Sequence, residues 1–253
     1  MKAFSESFKK YNKLVHPSRV HLLKSAGINC FISNLNPREL HAFLMVWTAF
    51  SVKMTENVEQ WILRAGQSCE KKQLSEVGAK LKYHAAQEAN HDLMLIDDLK
   101  VLVAKWNTIY KDSLTEQDIY SFTLPTNANA YIDLHEATIN GQHPYAQVAI
   151  EYEIERISVN FGPKMIENVI NTLGQDFEEG ISFLADHVLI DQGHTKFNID
   201  LLEKCFNADA SLDALVITGA SALKIYAGYL NECIIQSTTI SSRGSWSTAS
   251  ATL

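Results

Sequence analysis

The sequence lacks most of the features that assign a chain to a class directly. No CxxC pair occurs, and the four cysteines, Cys30, Cys69, Cys205 and Cys233, are scattered through 253 residues. A disulfide framework and a thiolate zinc site are therefore not expected, and reduced thiols in a cytoplasmic protein are the default. No basic run stands out, and the net charge is -7 with a pI near 5.7. Nucleic acid is not an expected partner. No stretch approaches the ~18 uninterrupted apolar residues of a membrane span. The opening "MKAFSESFKKYNKLV" is charged and amphipathic and has no apolar run of signal-peptide type. Alternating strand patterns, internal repeats and dividing linkers are also missing. What remains is an ordinary globular composition, 46% hydrophobic and 20% charged, enough to bury one large core.

The period that is present is helical. "NPRELHAFLMVWTAFSVKMTENVEQWILRA" begins with Asn36 as N-cap, Pro37 at the first helical position and Glu39 at the capping-box position. Its apolar residues recur at helical spacing through Trp61 and Leu63. "EVGAKLKYHAAQEANHDLMLIDDLKVLVAKW" reads as a second long helix, followed by a short one after Ser113. Another helix, "NANAYIDLHEATIN", lies between Pro125 and Gly141. Gly162-Pro163 divides "YAQVAIEYEIERISVNF" from "KMIENVINTL". A helix over about 176–206 and a last one, "SLDALVITGASALKIYAGYLNECIIQ", complete the pattern. These elements predict one all-α domain over residues 1–236, with seven to nine helices and about seven in the core. The Ser/Thr-rich tail 237–253 is expected to be disordered.

One stretch breaks the apolar logic. In "HVLIDQGH", residues 187–194, His187, Asp191 and His194 fall at i, i+4 and i+7 and project from one helix face. Three polar groups on an otherwise apolar stripe need a compensating partner, and a metal ion supplies one. Glu88 and His91 form a second carboxylate-x-x-His pair. Roughly one such pair is expected by chance in this composition, so the five-residue coincidence across two helices carries the argument. Pairs of this kind on different helices, with further Glu ligands, build di-metal sites in helical bundles. Mixed imidazole and carboxylate ligands suit iron or manganese better than structural zinc.

"HVLIDQGH" preceded by "EANH" resembles the heme-oxygenase-like diiron oxidases and oxygenases, the CADD-like and UndA-like group, and within it the cyanobacterial CADD-like branch. The resemblance covers the chain from about Asn36 to the last helix. It implies a heme-oxygenase-like helical bundle without heme, holding two irons between three core helices, with Mn as an alternative. Some members carry E-x-x-H on the earlier helix, as with Glu88 and His91 here. Others place the Glu seven residues before the His, a position held here by His84. The family's remaining ligand is a Glu about thirty to thirty-five residues before the first His of the triad. "IEYEIERIS" offers Glu151, Glu153 and Glu155; Glu155 is favoured over Glu151, and Glu153 is expected to point away to solvent.

The implied metal set is Glu88, His91, Glu155, His187, Asp191 and His194, with His84, Tyr152 and Glu151 as neighbours that support it, or ordinary packing residues. No catalytic residue is expected beyond the ligands. The second iron is expected to be held weakly, with the segment around Asp191 distorting when metal is absent. The implied activity is that of a non-heme diiron oxidoreductase using dioxygen to oxidise or cleave a small organic acid, an amino acid or a fatty acid. A homodimer is left open.

Two other readings compete. A TenA-like thiaminase or hydrolase on the same fold wants a Cys nucleophile, and none lies between Cys69 and Cys205. A non-catalytic small-molecule-binding bundle should lack one of the ligands. His41 and Trp47 either border a pocket or belong to the core. His16, His21, His135 and His143 read as surface or capping residues, and Cys205 as a buried thiol.

Overall fold

The computed structural model describes residues 4–242, the Asn34 side chain excepted. Eleven α-helices and no strand occur among the described residues. None of these helices is long and apolar enough to cross a membrane. The chain runs through α1 (Glu6–Leu23), α2 (Ala26–Asn29), α3 (Pro37–Thr55), α4 (Val58–Lys71), α5 (Ser75–Ala85) and α6 (His91–Tyr110). It continues through α7 (Glu116–Tyr120), α8 (Thr126–Asn140), α9 (Gln147–Leu173), α10 (Ser182–Asn207) and α11 (Leu212–Ser241).

The capping box at the start of α3 forms as expected. The Asn36 side chain accepts from the Glu39 N–H at 3.0 Å, and the Glu39 carboxylate accepts from the Asn36 N–H at 3.2 Å. Every residue from Leu40 to Val52 is buried. That makes α3 the central helix, covered on all sides, rather than an amphipathic one. It packs against α6 and α11, while α9 with α10, and α4 with α5, form the two most extensive helix pairs among the described residues.

Five boundaries differ from the sequence-based expectation. The first long segment breaks at Glu56 and Asn57, giving α3 and α4. The second breaks between Ala85 and His91, where Asn90 takes a left-handed backbone (φ 67°). Asn tolerates that conformation because its short side chain hydrogen-bonds locally. Gly162-Pro163, expected to end a helix, lies inside a continuous α9. Proline costs an interior helix about 3 kcal/mol, and packing on α10 outweighs it: a Cβ on Gly162 would collide with the Val188 side chain. The segment after Gly174 is a 3-10 turn, Gln175–Gly180, before α10 begins at Ser182. From there α10 is continuous through Asp191. The last helix reaches Ser241, so the start of the expected tail is helical. The rest of that tail lies outside the described residues.

One contact sets α10 against α6. The N-terminus of α10 has no side-chain cap of its own. Asp98 of α6 supplies it across the bundle, accepting from the Ser182 and Phe183 N–H groups, each at 2.9 Å, and from the Ser182 hydroxyl at 2.7 Å. A carboxylate at a helix N-terminus satisfies otherwise unpaired donors and complements the helix dipole.

Candidate metal centre

Three elements converge near the middle of the bundle. The end of α5, the break after it and the start of α6 carry His84, Glu88 and His91 in turn; α9 carries Glu155; α10 carries His187, Asp191 and His194. Their donor atoms form two groups that share Glu88. One is His84, Glu88, Glu155 and His194; the other is Glu88, His91 and His187. In each, the ligand atoms lie within 4.8 Å of one another.

The two oxygens of Glu88 divide between the groups. Oε1 lies 3.3 Å from His84 Nε2 and 3.1 Å from His194 Nδ1. Oε2 lies 3.0 Å from His91 Nδ1. Glu155 Oε1 is 3.1 Å from His84 Nε2 and 3.8 Å from His194 Nδ1, and its Oε2 accepts from Asn198 Nδ2 at 2.6 Å. His91 and His187 meet edge to face at 4.7 Å. His187 donates its Nδ1–H to the Phe183 carbonyl at 2.7 Å, which leaves Nε2 as the lone-pair nitrogen. A backbone acceptor on one ring nitrogen is the usual way a ligating imidazole is oriented.

Several of these atoms converge without forming proper hydrogen bonds. His84 Nε2, His194 Nδ1 and Glu155 Oε1 are buried and have no hydrogen-bond partner, although nitrogen and oxygen stand as close as 3.1 Å. They face a common point instead of one another's protons. Orphaned buried donors and acceptors cost about 1–3 kcal/mol each, and a cation at that point removes the penalty. The residues present therefore fit a metal.

The electrostatics agree. Burial opposes ionisation of Glu88, but the close approach of the His194, His84 and His91 imidazoles outweighs it and holds the carboxyl well below the usual range. Burial also opposes charge on His84 and His194, and the surrounding carboxylates push them up to about 11 and about 9. Desolvation raises Glu155 to about 7 and Glu151 to about 8. His187 is lowered by burial. Such clustered, opposed shifts in a cavity wall make this cluster a candidate functional site.

Of the six residues in the sequence-based set, five fall in the two groups. Asp191 sits beside them, with Oδ1 3.4 Å from His194 Nδ1 and Oδ2 accepting from the Ser158 hydroxyl. His84 enters the first group directly. Glu151 accepts from Gln147 Nε2 at 2.5 Å and faces the adjoining cavity. Tyr152 does not approach the centre: it packs against Phe8 and Tyr11 of α1. Glu153 turns away from the centre but not to solvent. It is buried and paired with Arg19, whose Nε and Nη2 donate to it at 2.8 and 2.6 Å. His135 is also buried, stacked on Trp61 at 4.3 Å and accepting from Gln147 Nε2 at 2.6 Å. His16 and His21 are exposed, as expected; His143 is half-buried and bonded to the Tyr145 hydroxyl. Sequence reasoning did not single out Asn198, Ser158 and Asp98. Asn198 was within reach, four residues beyond His194 on the same helix face.

A cavity of about 130 Å³ adjoins the centre. Glu88, Glu155, His187 and Asp191 form one wall; Phe31, Trp47, Met54, Met165 and Phe183 are among the apolar residues opposite. Trp47 thus borders the cavity. His41 belongs to the core, donating to the Leu102 carbonyl at 2.8 Å. Cys69 and Cys205 are buried with thiols pushed up by burial, and no cysteine lines the cavity.

The chain has a heme-oxygenase-like all-α fold. A domain of unknown function with a heme oxygenase-like fold from Shewanella denitrificans OS217 superposes with a TM-score of 0.71 at 15% identity, over 99% of this chain and 100% of that one. A TenA homolog from Pseudomonas syringae pv. tomato DC3000 gives a TM-score of 0.71 at 11% identity, over 92% of this chain and 94% of that one. No protein-family model matches the sequence, and no curated protein does.

Proposed function

We propose that this protein is a non-heme two-metal oxidoreductase, with iron the preferred ion and manganese the alternative, that uses dioxygen to oxidise or cleave a small organic acid. The observation that carries the reading is Glu88. Its two oxygens face two separate imidazole-containing groups, the arrangement a carboxylate adopts when shared by two cations. His84, Glu155 and His194 would complete one site, and His91 and His187 the other, with Asp191 adjacent to both. When bound, the metal pair supplies dioxygen activation, a chemistry no side chain offers alone.

The chain's own residues supply the rest. The apolar wall of Trp47, Met54, Met165 and Phe183 excludes water and holds the substrate's carbon skeleton against the metal-facing wall. Burial raises the Glu151 carboxyl above the usual carboxylate range where it faces the cavity, and Gln147 fixes its orientation.

A TenA-like thiaminase or hydrolase is the second reading, favoured by the likeness to the TenA homolog. It requires a nucleophilic thiol, and the cavity has none. Anaerobic Fe(II) addition followed by air separates the two. The oxidase reading expects about two irons per chain, a transient visible absorption, and iron-dependent oxygen consumption with one of a panel of amino and fatty acids. A protein that binds no iron and hydrolyses thiamin overturns it.

A further inference from the structure

A second cleft lies on the other side of α9, between that helix and the C-terminal half of α1. Its volume is about 300 Å³. Ile157 faces both this cleft and the cavity at the metal centre, and so forms the partition between them. The cleft takes its polar groups from His16 and Arg19 of α1 and from Glu153, Arg156 and Asn160 of α9. Val20, Phe161 and Leu223 supply apolar surface beside them.

The charges in the cleft do not cancel. Arg19 is neutralised by Glu153 through two hydrogen bonds and is further fixed by Asn12, which accepts from Nη1 at 2.8 Å. Arg156 has no such carboxylate. It forms no ion pair among the described residues, and its guanidinium lies 5.3 Å from the centre of the Tyr152 ring. Arg19 flanks the same ring at 5.9 Å. Two guanidiniums and one carboxylate leave a single uncompensated positive charge, half-buried at Arg156, in a chain whose net charge is -7. Arg19, held in place, keeps N–H groups beyond those given to Glu153 and Asn12, because a guanidinium has five.

We propose that this cleft is a binding site for a small amphipathic monoanion, a carboxylate bearing a short alkyl chain. Its carboxylate pairs with Arg156 in the fork geometry that guanidinium offers, with His16 and Asn160 at its edge. Its alkyl chain lies along Val20, Phe161 and Leu223. One uncompensated charge matches a carboxylate better than a phosphate dianion, and the apolar wall has no use for an inorganic ion. The site needs no metal, so it stands or falls separately from the proposed oxidase activity.

The test is calorimetric titration of the full chain, with and without a chelator, using hexanoate, hexanamide and inorganic phosphate as probes. Hexanoate binding is expected with and without the chelator, with hexanamide and phosphate at least about tenfold weaker. Arg156→Gln should weaken hexanoate about tenfold or more, and Arg156→Lys, which keeps the charge, should weaken it less. In a methyl-labelled sample the bound alkyl chain should show proximity to Val20 and Leu223 methyls. Equal binding of hexanoate and hexanamide to the wild-type chain overturns the proposal even if the Arg156→Gln variant does not fold. Proximity to Met54 and Met165, which line the other cavity, overturns it as well, as does hexanoate binding lost on chelation.

Discussion

Replacing Asp98 tests how the two helices that carry His91 and His187 are held in register. The side chain is 2% exposed and accepts three hydrogen bonds, two from the backbone at the start of α10 and one from Ser182 Oγ. Burial raises its pKa, and those three bonds partly restore the charged form, so the net gain is smaller than three charged hydrogen bonds in isolation. Asp98→Ala leaves two N–H donors and a hydroxyl without their acceptor. At about 1–3 kcal/mol for a buried unsatisfied group and about 1 kcal/mol for a lost cap, with water entering the vacated space, the expected loss is about 2–4 kcal/mol. Asp98→Asn keeps one acceptor oxygen but turns an NH2 toward a donor, and should cost about half as much. For a chain of this size the alanine variant should melt roughly 4–16 °C lower. Urea titration measures the free energies directly. A loss below about 0.5 kcal/mol for Asp98→Ala, the level of an ordinary surface change, would refute the reasoning.

Other parts of the fold give further tests. His41 is held down to about 4, mainly by burial, and is neutral when folded. The unfolded chain therefore binds the extra proton below about pH 6.5, and stability should fall as pH drops from there toward 4. Across that window, urea titrations of His41→Gln should show a pH slope shallower by up to about 1.4 kcal/mol per unit; an unchanged slope contradicts this. Gly66 and Gly78 let α4 and α5 touch, since a Cβ on Gly78 would sit 2.6 Å from the Gly66 carbonyl oxygen. Gly78→Ala should destabilise by about 1–3 kcal/mol despite alanine's better helix propensity, and a gain in melting temperature would show the crossing is looser. Arg19→Met strands the buried Glu153 charge and should cost about 3–5 kcal/mol, while Arg19→Met with Glu153→Leu should recover much of it. Denaturation of the single and double variants decides the point, and equal losses in both would contradict it.

Much of the centre was legible because α10 is a regular helix: with i, i+4 and i+7 on one face, His187, Asp191 and His194 had to project together. Glu155 was reachable only through the family spacing. The α5–α6 break was not legible. "HAAQEANHD" contains no glycine or proline, and the one residue that reverses the backbone, Asn90, does so without a distinctive neighbour. That break is also what sends the two Glu88 oxygens toward different partners, so the shared role of Glu88 and the place of His84 were hidden with it. Gly162-Pro163 misled in the opposite sense, because contact with Val188 on another helix kept α9 continuous. Glu153 and His135 were misjudged for a related reason. Their partners Arg19 and Trp61 lie far away in sequence, and local pattern contains no trace of them.

The central claim is that two cation sites share one carboxylate. Metal content after anaerobic loading with Fe(II) and gel filtration tests it most directly, on wild type, His187→Ala and Glu88→Ala. The account predicts about two ions per wild-type chain, about one for His187→Ala because the more buried group is intact, and less than one for Glu88→Ala. A wild-type chain that retains no more than a trace of metal, or a Glu88→Ala variant that still holds two ions, would contradict it.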